Sequence, residues 1–148
     1  VYNPASIASQ YIYSHIKVVI FSALAIESEI NLLGQLILGR KLFYDALERS
    51  STISKILLID NKKGSMAIKS GEEPLNGIKL LFSERDKYVH DKSIRLAEKD
   101  NYESIMKKRE VKLKTTDAIK VLISFDDYIN KYFKSPKNYL LFHYLCIS

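Results

Sequence analysis

The chain has 148 residues, of which 47% are hydrophobic and 27% charged, and it carries a net charge of +6. This length predicts one domain covering residues 1–148, and the composition excludes a disordered chain. The single cysteine, Cys146, excludes an internal disulfide, and the positive charge favours an anionic partner such as nucleic acid.

The first predicted helix begins near Pro4, because proline is favoured in the first helical turn. Apolar residues then recur at helical spacing as far as Leu36, and Gly39 is the expected stop. A helix so apolar on all sides is expected at the centre of the fold or at an interface. Its longest apolar run, Val18–Ile26, is too short to cross a bilayer, so no membrane association is expected.

Further helices follow from the same apolar periodicity. A second is predicted over Arg40–Arg49, and a third after the capping residues Ser50–Thr52. A polar loop over Asn61–Glu73 precedes a helix that begins near Pro74.

The second half of the chain adds two helices to the prediction. A weakly patterned stretch leads to a helix capped by Thr115–Asp117, and the apolar tail Asn138–Ile147 is predicted to form the last helix. The fold class is therefore all-α, a bundle of about five to six helices with little or no sheet. Because the chain begins at Val1 rather than Met, we expect either a trimmed chain or a domain excised from a longer protein.

The helix after Pro74 carries an arginine on its apolar stripe. Leu75, Ile78 and Phe82 define the stripe, which then continues through Arg85 to Val89. A guanidinium on a face that should be buried is costly unless it meets an anion or lines a cleft. Arg85 is therefore the first candidate for a functional residue.

Familiar catalytic and metal-binding motifs are missing from the sequence. There is no glycine-rich phosphate loop, no G-x-S-x-G elbow, no H-E-x-x-H motif and no CxxC pair. His15, His90 and His143 are far apart and lack ligand spacing, so neither a metal nor a cofactor is expected. What remains is the constellation Arg85, Asp86 and His90.

Arg85, the polar Asp86 and His90 form the pattern R-[polar]-x-x-x-H, with four residues between the arginine and the histidine. This pattern resembles the motif of the HEPN superfamily. The layout of a long first helix, two helices, a loop and the motif helix is similar to the layout of this family. Glu27 and Asn31, four residues apart on the first helix, resemble a supporting pair found in several HEPN subgroups.

The resemblance implies a metal-independent endoribonuclease with Arg85, Asp86 and His90 as catalytic residues. HEPN domains typically form homodimers whose two motifs face one cleft, and they occur as toxins and phage-defence effectors. The implied partners are RNA and an antitoxin or regulatory protein, and the expected location is the reducing cytoplasm. Lys87, Lys92 and Arg95, the cations closest to the motif, are the expected RNA-binding residues.

The chemistry of these side chains is consistent with that implication. His90 could exchange a proton near neutral pH, and Arg85 could bind the oxygens of a phosphorane while Asp86 orients either side chain. Arg85 and His90 are five residues apart, which places them about 140° apart around a helix. A second subunit or a nearby turn is needed to bring both to one phosphate.

Structural roles are the alternative for each of these residues. Arg85 could form a salt bridge with Glu27 or another acid, Asn31 could be a buried hydrogen-bonding residue, and His90 could cap a helix end. On this reading, the chain is a non-catalytic helical interaction or dimerisation module with a basic partner-binding face. A helical transcription regulator is weaker, because no helix-turn-helix with a basic recognition helix is present.

Overall fold

The computed structural model describes residues 4–63, 68–69, 71–89 and 113–133. Every regular element in this part of the chain is helical, which confirms the predicted all-α class. The elements are α1 (Pro4–Leu38), α2 (Arg40–Leu42) with a π-helical continuation (Phe43–Leu47), α3 (Thr52–Lys63), α4 (Leu75–Val89) and α5 (Thr115–Phe133). Within these residues, no helix combines the length and the apolar character that crossing a membrane requires.

Helix α1, 35 residues long, is the centre of the fold, because α3, α4 and α5 all pack against it. Its inner face is buried and consists of Val19, Ala23, Ile26, Ile30 and Leu33. Its outer face carries exposed apolar side chains, among them Phe21, Leu24 and Leu36. The helix therefore contributes both to the core and to an apolar outer surface.

A glycine ends α1 where the sequence predicts. Gly39 has a φ of 81°, a left-handed conformation that side chains with a Cβ rarely adopt. The following helix packs closely on α1: a Cβ atom on Gly34 would lie 2.5 Å from the Phe43 ring. The second predicted helix is confirmed, but from Phe43 onward its backbone hydrogen bonds join residues five positions apart, which is the π-helical pattern.

Ser51 caps α3, as predicted from the serine and threonine cluster. Its Oγ accepts a hydrogen bond from the Ser54 N–H at 3.2 Å. The helix then runs to Lys63, beyond the predicted loop start at Asn61. Near its end, the buried Asp60 accepts a hydrogen bond from the Tyr128 hydroxyl of α5 at 2.6 Å. This bond links the end of α3 to α5.

Helix α4 begins after Pro74, and the Glu73 carboxylate accepts a hydrogen bond from the Gly77 N–H at 3.2 Å. Its buried face consists of Leu75, Gly77, Ile78, Leu81, Phe82 and Glu84. The predicted stripe is wrong at its end, because Val89 is 54% exposed. The buried face passes through Glu84, since a straight helix has 3.6 residues per turn and drifts away from the spacing used to extend the stripe.

Helix α5 begins at Thr115, as predicted, and buries Ala118, Val121, Phe125, Tyr128 and Ile129. Ile119, in the first turns of the same helix, is exposed. Burial raises the pKa of Asp126 on this helix, and the charge of Asp127 raises it further. Burial also raises the pKa of Glu29 on α1, with a smaller contribution from the charge of Asp126.

Candidate functional site

Arg85 lies on α4 where this helix meets α1, and its side chain is 20% exposed. The guanidinium Nη1 donates a hydrogen bond to Glu27 Oε2 of α1 at 3.2 Å. Its Cζ atom lies 4.7 Å from the centre of the Phe82 ring, a distance at which a cation is attracted to the ring face. Arg85 is therefore held at the α1–α4 boundary by a carboxylate and an aromatic ring.

Asp86 binds the same guanidinium from the neighbouring position. Its Oδ1 accepts hydrogen bonds from Arg85 Nε at 3.0 Å and from Nη2 at 2.7 Å. A guanidinium has five N–H donors, and the contacts to Glu27 and Asp86 engage three of them. Within the described residues the other two, one on Nη1 and one on Nη2, make no hydrogen bond, and each could donate to a phosphate oxygen.

The two predicted supporting residues of α1 have different partners. Glu27 contacts Arg85, whereas Asn31 Oδ1 accepts a hydrogen bond from Lys55 Nζ of α3 at 2.9 Å. Lys55 is only 3% exposed, and its ammonium lies 5.5 Å from the centre of the Phe43 ring. Within the described residues, no carboxylate pairs with it, so Asn31 is its polar partner in the α1–α3 interface.

A cleft of about 470 Å³ opens beside Arg85. It is bounded by α1, by the start of α3 and by α4, and its lining residues are Glu27, Ser50, Ser51, Thr52, Ile53, Lys79, Phe82, Ser83, Arg85 and Asp86. The cleft thus brings together two predicted catalytic residues and one supporting residue. Its volume is within the range of sites that hold small ligands.

The remaining predicted site residues are placed as follows. His90, Lys92 and Arg95 lie outside the described residues, so the prediction that His90 joins Arg85 stays a prediction. Lys87 is described, and its Nζ donates a hydrogen bond to Glu84 Oε2 at 2.7 Å. Its charge is therefore already engaged by a buried carboxylate.

A second polar cluster lies on the other side of α4 and was not predicted. Glu84 is 1% exposed, and its Oε1 accepts a hydrogen bond from the Tyr88 hydroxyl at 3.0 Å. Burial raises the pKa of Tyr88 to about 12, with smaller contributions from this hydrogen bond and from the charge of Glu84. The i, i+4 spacing of the two residues was the only available signal in the sequence.

His15 of α1 extends this cluster towards α5. Its ring meets Tyr88 edge to face at 6.0 Å, and its Nδ1 is hydrogen-bonded to Thr115 Oγ1 at 2.8 Å. Its Nε2 is buried and, among the described residues, has no hydrogen-bond partner. The sequence offered no sign of this contact, because His15 and Thr115 are 100 residues apart.

The fold and the cleft together define an all-helical protein with an arginine-centred polar cleft between three helices. In the part of the chain that the structure describes, no three His, Cys, Asp or Glu residues are grouped so that they could hold a metal ion. Comparison with protein-family models, with curated proteins and with solved structures finds no match to this chain.

Proposed function

We propose that this chain is a metal-independent endoribonuclease of HEPN type that acts as a toxin or phage-defence effector in the cytoplasm. The observation that supports the proposal is the environment of Arg85. Its guanidinium is fixed at the edge of a cleft by Glu27 and Asp86, and two of its N–H donors remain for a phosphate. A guanidinium held in place before substrate binds is suited to stabilising charge that develops on phosphate oxygens.

In the proposed reaction, the 2′-hydroxyl of one nucleotide attacks the adjacent phosphorus. His90 accepts the proton of this hydroxyl as the new P–O2′ bond forms, and its imidazolium returns a proton to the 5′-oxygen as the P–O5′ bond breaks. Arg85 binds the non-bridging oxygens of the phosphorane, and Asp86 keeps the guanidinium oriented. The products are a 2′,3′-cyclic phosphate and a free 5′-hydroxyl.

A homodimer is part of the proposal, because a spacing of five residues corresponds to about 140° around an ideal helix, too far for a single helix to bring both Arg85 and His90 to one phosphate. The exposed apolar residues Phe21, Leu24 and Leu36 on α1 support an association between copies, since a large exposed apolar surface favours burial against a partner. RNA, contacted by Lys87, Lys92 and Arg95, is the proposed substrate, and an antitoxin or regulatory protein is the proposed inhibitor.

Cleavage of single-stranded RNA in the presence of EDTA tests this function. Wild-type protein is compared with Arg85→Ala and His90→Ala, and Arg40→Ala and His143→Ala serve as matched controls that remove the same side-chain types outside the motif. We expect products with 2′,3′-cyclic phosphate ends, a loss of about a hundredfold or more in rate for both motif variants, and wild-type rates for the controls. An RNA with 2′-deoxyribose at each cleavage site should remain intact.

The alternative is a non-catalytic helical interaction or dimerisation module with a basic partner-binding face. The observation that favours it is the engagement of three Arg85 N–H donors by carboxylates, as in a structural ion pair. Under this alternative, no RNA is cleaved and Arg85→Ala changes only stability. Cleavage of the deoxy substrate, or equal cleavage by wild type and both motif variants, would exclude the proposed mechanism.

A further inference from the structure

The contacts of the Arg85 guanidinium differ in how they use its hydrogen-bond donors. The carboxylates of Glu27 and Asp86 engage three of its N–H groups. The Phe82 ring, whose centre lies 4.7 Å from Cζ, attracts the cation through its face and engages no N–H group. Phe82 therefore restrains Arg85 without occupying a donor that a phosphate oxygen could use.

Phe82 is the most deeply buried of these three side chains. It is 8% exposed and belongs to the hydrophobic core, one helical turn before Arg85 on α4. The side chains of Glu27 and Asp86 are 35% and 51% exposed, so water competes for their contacts with the guanidinium. Solvent screens ion pairs at such positions and weakens their hold on a side chain. The buried ring therefore adds a restraint that water weakens much less.

Phe82 also lines the cleft, beside the guanidinium that it contacts. With the ring against the cation, less water reaches the Arg85 side chain, which is 20% exposed. The charge of a partly desolvated and fixed guanidinium acts more strongly on a nearby anion than the charge of a hydrated and mobile one. The position of the ring therefore favours a strong interaction between Arg85 and an anion in the cleft.

We propose that Phe82 is a positioning residue for the cleavage of RNA, because its ring keeps the Arg85 guanidinium oriented towards the phosphorane oxygens. The ring acts through Arg85 and exchanges no proton. The inference rests on the proposed ribonuclease function and adds to it a residue that the apolar stripe alone would assign to the core. Orientation matters most once charge has developed on the phosphate, so a weaker ring contact should lower kcat more than it raises KM.

The test replaces Phe82 by phenylalanines that carry one, two or three fluorine atoms on the ring, because leucine at this buried position would also leave a cavity. Fluorine withdraws electron density from the ring face, which weakens the attraction of a cation while the ring keeps nearly its size and its apolar character. The same series at Phe125 is the matched control. Phe125 is buried on α5, and no lysine or arginine of the described residues lies over its ring.

Two measurements are made on each protein after its helix content and unfolding midpoint have been compared with those of wild type. The first gives kcat and KM for the cleavage of a single-stranded RNA in EDTA. The second gives the rate at which the Arg85 Nε–H exchanges with water, followed by NMR on a signal that is assigned by its loss in Arg85→Lys. This N–H donates to Asp86, so its exchange reports how often the guanidinium leaves that orientation.

We expect three fluorine atoms at Phe82 to lower kcat by about threefold to tenfold and to change KM by less than about twofold. One or two fluorine atoms should have smaller effects, and the exchange rate of the Arg85 Nε–H should rise in the same order. The series at Phe125 should match wild type in both measurements. In an active enzyme, an unchanged kcat across the series at Phe82, or an equal fall at Phe125, would overturn the positioning role.

Failure of this role and failure of the proposed function give different results. If no protein cleaves RNA but fluorine at Phe82 alone raises the exchange rate, the ring positions Arg85 and the ribonuclease function fails. If cleavage depends on Arg85 and His90 while fluorine at Phe82 changes neither kcat nor the exchange rate, the function stands and the positioning role is rejected.

Discussion

Replacing Asn31 by leucine should destabilise the protein through a buried lysine. Lys55 is 3% exposed, and its ammonium is hydrogen-bonded to Asn31 at 2.9 Å. Leucine has nearly the same size as asparagine but accepts no hydrogen bond, so the substitution leaves a buried charge without its polar partner. Loss of a hydrogen bond to a charged group costs about 1.5–3 kcal/mol, and we expect Asn31→Leu to lower the free energy of unfolding by that amount.

The same contact predicts a rescue. Lys55→Met keeps an unbranched chain over the Phe43 ring and removes the charge that has to be desolvated. Asn31 is only partly buried, so its carboxamide can be hydrated once the ammonium is removed. We therefore expect Lys55→Met to change the free energy of unfolding by less than about 1 kcal/mol, in either direction.

Urea unfolding followed by circular dichroism measures the cycle formed by Asn31→Leu, Lys55→Met and the double variant. The double variant should recover most of the loss caused by Asn31→Leu, which corresponds to a coupling free energy of about 2 kcal/mol. A folded double variant should also cleave RNA like wild type, because Asn31 contacts Lys55 and not Arg85. If Asn31→Leu costs less than about 0.5 kcal/mol, or if Lys55→Met fails to rescue it, this reasoning about the buried ammonium is refuted.

Three further changes should have measurable effects. Burial raises the folded-state pKa of Glu29 above its ordinary value of 4.5, so the folded protein binds the proton of this carboxyl group more tightly than the unfolded protein does. The free energy of unfolding therefore falls as the pH rises from 4.5 towards the raised pKa. Glu29→Gln should flatten this dependence and raise the unfolding free energy at pH 7, and equal pH profiles of wild type and variant would contradict it. Gly34→Ala places a Cβ 2.5 Å from the Phe43 ring. The substitution should lower the free energy of unfolding, measured in urea, by about 1–2 kcal/mol, although alanine has the better helix propensity. A variant at least as stable as wild type would contradict this prediction. Tyr88→Phe removes one hydrogen-bond donor from the buried Glu84 carboxylate and should lower the free energy of unfolding by about 1–2 kcal/mol. The absorbance spectrum of the variant should lack the phenolate signal that wild type gains near pH 12. An alkaline titration identical to that of wild type would disprove the assignment of this signal to Tyr88.

The sequence predicted those parts of the fold that depend on local signals. Turn and capping chemistry acts over only a few residues. It accounts for the end of α1 at Gly39, for the cap of α3 at Ser51 and for the start of α5 at Thr115. Apolar spacing was sufficient to predict the all-helical class. It was less reliable for α4, because a small error in the assumed helical period accumulates along the helix. Val89 was expected on the buried face, whereas Val89 is exposed and Glu84 is buried.

Most long-range partners could not be read from the sequence. Arg85 was recognised because a charge interrupted an apolar pattern, and its salt bridge with Glu27, 58 positions away, confirms one of the acids named as a partner without excluding the others. The same limit applies to Asn31, whose spacing from Glu27 suggested a shared role, whereas its partner is Lys55 on another helix.

The cleft can form only at a defined stage of protein synthesis. Its walls come from three separate regions: Glu27, residues 50–53 and residues 79–86. A nascent chain that has exposed only α1 and α3 contains the capped start of α3 but neither Lys79 nor Arg85. The complete cleft can form only after α4 has left the ribosome, so any activity that depends on it cannot begin before that point.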